Sequence, residues 1–265
     1  MSWSLHIIAF SSVAAYLLAS LGYLRSLWSR HGETARYLLI FGALAHGLFL
    51  LLGLRSEVQA PISSYSLSLI SLGLVLSFLI FCSGPKLRAL GVFVAPLGFG
   101  FLVVSGWIFH ASLGQDQVDI SNSVVKFHVA STLLGNIFFG LACVVSLALI
   151  LQERLLKQKK LHTLSSKMPS LNVLDGLHFR VLGFGFFLMA LGVISGVLLL
   201  SGEASYLDPR LLVSGATLFL YAILLGARVF RGFRGRRAAW LTVAGFFLAM
   251  LSSLTLKFSE SFHVH

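Results

Sequence analysis

Long apolar runs follow one another along almost the whole chain, and they restrict its fold more than any other feature. A helix needs about 20 mainly apolar residues to cross the hydrocarbon core of a bilayer. Runs of that kind lie near residues 4–24, 36–54, 65–82, 90–110, 123–151, 178–201, 211–227 and 238–257. A backbone in lipid must satisfy its own hydrogen bonds, and these runs lack the alternation of barrel strands, so they predict helices. The sequence therefore predicts an all-α integral membrane protein, an eight-helix transmembrane bundle forming a single polytopic domain over 1–265.

The composition predicts a membrane domain without an additional soluble domain. Hydrophobic residues make up 57% of the 265 residues and charged residues only 11%, whereas a soluble domain has roughly 25% charged residues. Cys82 and Cys143 both lie in apolar runs without CxxC spacing. We therefore expect neither a disulfide framework nor a thiol redox motif.

The basic residues fall into alternate loops. Sixteen of the 20 Lys and Arg residues lie in one set of loops with three acids, while the other set has four cations and six acids. The positive-inside rule assigns the first set to the cytoplasm, which predicts both termini on the non-cytoplasmic side. The net charge of +11 thus reflects membrane topology, and the basic loops also attract anionic lipid headgroups. It does not indicate binding of nucleic acid. The N-terminus lacks the basic region of a secretory signal, so we expect the first span to be retained.

The fifth run is longer than a membrane requires. Residues 121–151 would form a helix about 46 Å long, and the charged stretch 152–160 continues it into the cytoplasm. The segment 161–175, which contains Pro169 and several serines, is predicted to be a linker.

Nine histidines occur in this apolar chain, and their predicted depths differ. Five lie at or beyond the outer edge of the membrane: His6, His110, His128, His263 and His265. His46 lies near the middle of the second span, where an ionisable side chain is costly and tends to face a cavity, a partner or a cofactor. No zinc-type spacing is present, so zinc or copper is disfavoured. Haem, whose iron takes axial histidines, suits such a cluster better.

Several motifs, in their order along the chain, resemble the cytochrome c assembly protein family, which includes CcsA haem handlers and HemX-type proteins. The segment Asp175-Gly-Leu-His-Phe-Arg180, with Gly183-Phe-Gly-Phe and Leu191-Gly-Val-Ile-Ser-Gly196, is similar to that family's D-x-x-x-x-R…GF…LGxxxG helix. Gly232-Phe-Arg-Gly-Arg-Arg-Ala-Ala239 is similar to its GWRGRRAA loop. His46, Arg55 and Pro61-Ile-Ser-Ser-Tyr65 resemble an H…R…GxxPxxNxYE pattern.

The resemblance implies a b-type haem, bound non-covalently at the outer face by two histidines. The matching positions are His128, which opens the fifth span, and His263, which follows the eighth. His128 also begins a helix face with Thr132, Gly135 and Phe139. A glycine at 135 would serve either the approach of a porphyrin or plain helix packing.

This sequence departs from the CcsA pattern at two places. The loop 201–208 has no tryptophan, although the family has a tryptophan-rich segment there, and Gly226 stands where CcsA proteins have a histidine paired with the one at His46. Both departures favour the HemX-type branch. His46 is therefore either a haem ligand or, as we favour, a buried histidine hydrogen-bonded to a neighbouring helix.

Four cations lie on the outer face, where positive charge is otherwise avoided: Arg55, Lys126, Arg210 and Lys257. They either pair with haem propionates, since charge-assisted bonds to carboxylates are strong, or pair with outer acids. Those acids are Glu57, Asp119, Asp208 and Glu260. Arg55 and Arg210 are the better candidates for propionates, because Arg55 lies in the H…R pattern above and Arg210 ends Leu207-Asp208-Pro209-Arg210, which resembles the end of the family's tryptophan-rich segment. For the remaining histidines we expect an interfacial anchor at His110, solvated ends at His6 and His265, and a structural role for His178.

The resemblance thus implies a multi-pass protein of the bacterial inner membrane that holds, relays or exports haem for cytochrome c maturation. Two axial histidines leave no open iron position, so we expect no enzyme activity. The alternative is a HemX-type regulator that acts on glutamyl-tRNA reductase through its cytoplasmic loops. A structural membrane subunit without a cofactor is the third possibility. Expected partners are haem, the lipid bilayer and either cytochrome c assembly proteins or that reductase.

Overall fold

A computed structural model describes residues 3–27, 32–53, 62–82, 84, 86–111, 122–158, 167–199 and 209–254. In these ranges the chain is helical, without strands, and a short 3₁₀ turn, Leu87–Leu90, precedes the fourth helix. The long helices are α1 (Trp3–Ser26), α2 (Gly32–Gly53), α3 (Ile62–Phe81), α4 (Gly91–Ala111), α5 (Ser123–Gln158), α6 (Leu171–Leu199), α7 (Pro209–Arg231) and α8 (Arg236–Leu254).

Seven of these eight described helices, α1 to α7, are long and apolar enough to cross a membrane. The prediction of an all-helical, multi-pass membrane protein is therefore confirmed. The eighth helix, α8, has 19 residues and begins with two arginines, and its membrane crossing stays a prediction. The location of the termini also stays a prediction.

Two boundaries bear on the sequence predictions. Helix α5 has 36 residues, about 54 Å at 1.5 Å per residue, and it includes the charged stretch up to Gln158, as expected. Helix α6 begins at Leu171, so the linker predicted over 161–175 is too long at its C-terminal end. The first turn of α6 is helical because it has a buried apolar residue, Leu174, to pack inward.

The chain groups into two compact units, and the prediction of a single domain is not decided by this grouping. Unit 1 contains Met1–Gln117 and Arg154–Pro169, and unit 2 contains Val118–Glu153 and Ser170–His265.

In unit 1, α1 to α4 pack antiparallel around Tyr16, which is completely buried. A Cβ atom at Gly42 of α2 would lie 2.6 Å from the Tyr16 ring, so a glycine is needed for the two helices to approach. Helices α3 and α4 are joined by Ser64 and Ser105, because each hydroxyl donates to the other residue's carbonyl, at 2.9 and 2.8 Å. Lys167 donates from Nζ to the last carbonyls of α1, including that of Ser26 at 3.0 Å, and so caps that helix.

In unit 2, α5 packs antiparallel against α6, and α7 packs against both α6 and α8. Tyr221 of α7 is completely buried, and its ring lies 4.2 Å from that of Phe139 on α5. Its hydroxyl donates to the Thr242 carbonyl of α8 at 3.2 Å. The α7–α8 turn requires glycines at 232 and 235, where φ is 63° and 78°.

Candidate functional site

His128 lies in the second turn of α5, and its ring rests on the backbone of α6. The Nδ1 atom is 2.7 Å from the carbonyl oxygen of Gly192. A carbonyl only accepts, so Nδ1 carries the proton, and in the neutral imidazole Nε2 then keeps its lone pair. When one ring nitrogen of a histidine binds a metal, a hydrogen bond from the other nitrogen orients the ring and fixes its tautomer. The bond from Nδ1 to Gly192 is of this kind.

Glycines of α6 make room for the ring. A Cβ atom at Gly196 would lie 2.8 Å from Cε1 of His128 and 3.1 Å from Nδ1. These distances are shorter than an ordinary contact between non-bonded heavy atoms. The imidazole can therefore reach the Gly192 carbonyl only because residue 196 is a glycine.

The helix face that begins at His128 continues along the interface with α6. Its members Thr132, Gly135 and Phe139 face Gly192, Met189 and Gly185, respectively. A Cβ atom at Gly135 would lie 3.0 Å from the backbone nitrogen of Met189. Of the two roles predicted for Gly135, the structure supports helix packing.

An apolar groove of about 300 Å³ lies between the first turns of α5 and the last turns of α6. Phe127, Ile194 and Leu198 line it and are half or more exposed. Ser123, Val124, Leu191 and Ser195 complete the lining. The groove offers an apolar surface to a flat ligand, and His128, which is not among its lining residues, follows the lining residue Phe127 in the chain.

The other predicted residues of this site are described less fully or not at all. His263 and Arg55 lie outside the described residues, as do the four outer acids proposed as alternative partners. Arg210 lies in the first turn of α7, but its side chain is outside the described part. Lys126 is exposed on α5. The pairing of His128 with His263, and of the arginines with propionates, stays a prediction.

His46 is completely buried in unit 1 and has hydrogen-bond partners on two neighbouring helices. Its Nδ1 is 3.3 Å from the Tyr16 hydroxyl of α1, and its Nε2 is 2.7 Å from Ser68 Oγ of α3. Neither ring nitrogen is free to take a metal in this arrangement. It matches the alternative in which His46 joins neighbouring helices, while a role as ligand stays a prediction.

A polar cluster that the sequence motifs do not predict lies at the opposite end of unit 2 from His128. Arg228 of α7 binds both carboxylate oxygens of Asp175 on α6, at 2.8 and 2.7 Å, and stacks over the Phe179 ring at 4.7 Å. His178 is buried beside this pair, and its Nε2 lies 2.9 Å from Thr242 Oγ1 of α8, consistent with the structural role expected. The sequence signal was Asp175 itself, an acid at the edge of an apolar run.

His6 is half-buried and lines a cavity in unit 1, and its role as a solvated end stays a prediction.

The donor set near His128 fits haem better than a bare metal ion. Among the described residues, no three His, Cys, Asp or Glu side chains come together to hold a metal. Haem iron already has four porphyrin nitrogens and needs only axial ligands from the protein. One oriented imidazole, next in the chain to the groove-lining Phe127, is compatible with that requirement.

The chain is similar to proteins of cytochrome c assembly. A family model described as "Cytochrome C assembly protein" matches residues 60–263. The cytochrome c biogenesis protein CcsA of Nostoc punctiforme is 28% identical over 210 residues, which cover 76% of this chain and 57% of that protein. CcsA of a Picosynechococcus species is 36% identical over 95 residues, or 34% of this chain and 28% of the relative. The protein HemX of Brevibacillus brevis is 24% identical over 170 residues, 63% of this chain and 62% of HemX. The chain thus spans less than two thirds of each of these relatives.

Proposed function

The chain belongs to the cytochrome c assembly protein family, and from this premise we propose that it binds a b-type haem non-covalently at the outer face of the bacterial inner membrane. In this role it holds the haem and relays or exports it for cytochrome c maturation. Haem is the cargo, and the protein supplies its binding and orientation.

The observation that carries the proposal is the orientation of His128. Its Nδ1–H donates to the Gly192 carbonyl at 2.7 Å, so in the neutral ring Nε2 has a lone pair for iron, and the preceding residue, Phe127, lines the apolar groove. A hydrogen bond of this kind also raises the basicity of the ligating nitrogen. The groove residues Phe127, Ile194 and Leu198 would contact the porphyrin plane.

The second axial ligand in this proposal is His263, and Arg210 and Arg55 neutralise the propionates. These three assignments rest on the sequence and the family. Two axial histidines fill the iron's coordination sphere, so bound haem is protected from oxygen chemistry. Such a site suits holding and passing on haem and does not suit catalysis.

An absorption spectrum of the purified protein tests the proposal. We expect a Soret band with low-spin, bis-histidine features, and a weakened band in His128→Ala and His263→Ala. His6→Ala is the matched control, because it removes another histidine of the same predicted face and should leave the band unchanged. Imidazole added to the His128→Ala protein should restore part of the band by supplying the missing ligand. An unchanged band in both ligand variants would refute the assignment.

The alternative function, a HemX-type regulator of haem synthesis acting on glutamyl-tRNA reductase, is favoured by the similarity to HemX over 63% of the chain. The exposed arginines at 231, 234, 236 and 237 offer a surface for such a cytoplasmic partner. Deletion of the gene separates the two functions. Loss of c-type cytochromes at normal reductase levels supports relay, and raised reductase abundance with intact cytochromes supports regulation.

A further inference from the structure

Unit 1 contains a second cavity, of about 210 Å³, that the haem proposal does not use. It lies among α1 to α4, at the end where α1 and α3 begin and where α2 and α4 end. Its walls are mainly apolar and include Phe10, Phe49 and Phe109. Among its described lining residues, His6 and Tyr65 are the only titratable side chains.

Four serines, together with His6 and Tyr65, supply the polar part of the lining, and three of the serines already have hydrogen-bond partners of their own. Ser64 and Ser105 donate to each other's carbonyl oxygens, and Ser12 donates to the carbonyl of Ala9 at 2.7 Å. The fourth, Ser68, has only His46 as a hydrogen-bond partner among the described residues. Because a hydroxyl both donates and accepts, Ser68 keeps capacity for a ligand in the cavity.

Ser68 is the end of a hydrogen-bonded chain that runs from Tyr16 through His46. When Tyr16 donates to Nδ1, Nε2–H donates to Ser68, whose own proton is then free for the cavity. When the imidazole takes the other tautomer, Ser68 donates to Nε2 and its oxygen accepts from the cavity. The chain Tyr16–His46–Ser68 therefore presents either a donor or an acceptor to a ligand.

The size and polarity of the cavity restrict the ligand. An apolar cavity of about 150 Å³ holds benzene, so a cavity of about 210 Å³ accommodates a ring system somewhat larger than benzene. Its described lining residues include no carboxylate, lysine or arginine, so they offer no charged partner to a charged headgroup. An apolar chain without a polar atom would leave the Ser68 hydroxyl unused.

We propose that this cavity binds a neutral, membrane-soluble ring compound of about bicyclic size that bears one hydroxyl or carbonyl group. The ring packs against the phenylalanines, and the polar group meets Ser68. A hydroxyl compound uses the accepting state of the Tyr16–His46–Ser68 chain, and a carbonyl compound uses its donating state.

Equilibrium binding of 1-naphthol and naphthalene to the full-length protein in phosphatidylcholine nanodiscs tests this inference. We expect naphthol to bind about tenfold more tightly than naphthalene, the effect of one net hydrogen bond. Ser68→Ala should reduce this preference to about one. Equal binding of the two compounds to the unmodified protein, or no binding of either, would overturn the proposal.

Two glycines of α4 provide a matched pair that does not depend on the hydrogen-bonded chain. Gly106 lines the cavity, Gly100 does not, and a Cβ atom at either position meets nothing within 4 Å. Gly106→Phe should fill the cavity and abolish naphthol binding, whereas Gly100→Phe should bind as the unmodified protein does. Naphthol binding that survives in Gly106→Phe would place the ligand elsewhere and contradict the proposal, even if Ser68→Ala fails to fold. The Soret band should be the same in both glycine variants, so the result is independent of haem binding.

Discussion

Replacing Gly196 with alanine is expected to lower haem affinity about 10- to 100-fold, the usual effect of disturbing a metal ligand's hydrogen-bonding partner. The new Cβ atom would lie 2.8 Å from Cε1 of His128. Carbon atoms in contact stay about 3.5 Å apart or more, so the ring must move away from α6 by about 0.7 Å. The Nδ1–O distance to Gly192, now 2.7 Å, then becomes about 3.4 Å, beyond the range of a good N–H···O bond.

Haem titration followed at the Soret band measures this effect, and Gly183→Ala is the control. Gly183 lies in the same helix, and a Cβ atom there meets nothing within 4 Å. Its replacement should leave haem affinity unchanged and stabilise the helix by roughly 0.5–1 kcal/mol, because alanine loses less backbone entropy on folding. Equal haem affinities for the two variants would refute the claim that the Gly192 carbonyl orients His128.

Two further substitutions test roles assigned to buried polar groups. His46→Leu should lower the free energy of unfolding by about 1–3 kcal/mol, because it leaves two buried hydroxyls without their shared partner. It should leave the Soret band unchanged. A loss of the Soret band as large as in His128→Ala would show that His46 binds haem. Arg228→Leu should lower the free energy of unfolding by about 2–3 kcal/mol, because it leaves the Asp175 carboxylate without its partner. The thermal unfolding midpoint, measured in detergent, should fall accordingly. We expect a loss at or below the low end of the range for breaking a fully buried ion pair, because the two side chains here are 17% and 18% exposed. Exposed Arg231→Leu should show no such change, and equal midpoints for the two arginine variants would contradict a stabilising pair.

Much of the helical architecture could be read from hydropathy alone. Seven of the eight predicted runs correspond to helices long and apolar enough to span a membrane, because lipid leaves the backbone of such a run no alternative to helix. Helix boundaries were less predictable. The start of α6 at Leu171 depends on packing of Leu174, and hydropathy contains no information about which residues pack.

The candidate site was predictable only as a set of residue types. His128 could be singled out from its place at the start of a span and from the family motif. Its tautomer, and hence the lone pair on Nε2 of the neutral ring, depends on the Gly192 carbonyl of another helix. No local pattern reveals a contact between residues 64 positions apart.

The sequence by itself determined that this chain is a multi-pass helical membrane protein with histidines at one predicted face, because hydropathy and loop charge are properties of single segments. Only the tertiary structure decided which polar groups meet. It oriented His128 through α6, enclosed His46 between Tyr16 and Ser68, and joined Asp175 to Arg228. Those partners come from different helices, so their pairing depends on how the helices pack.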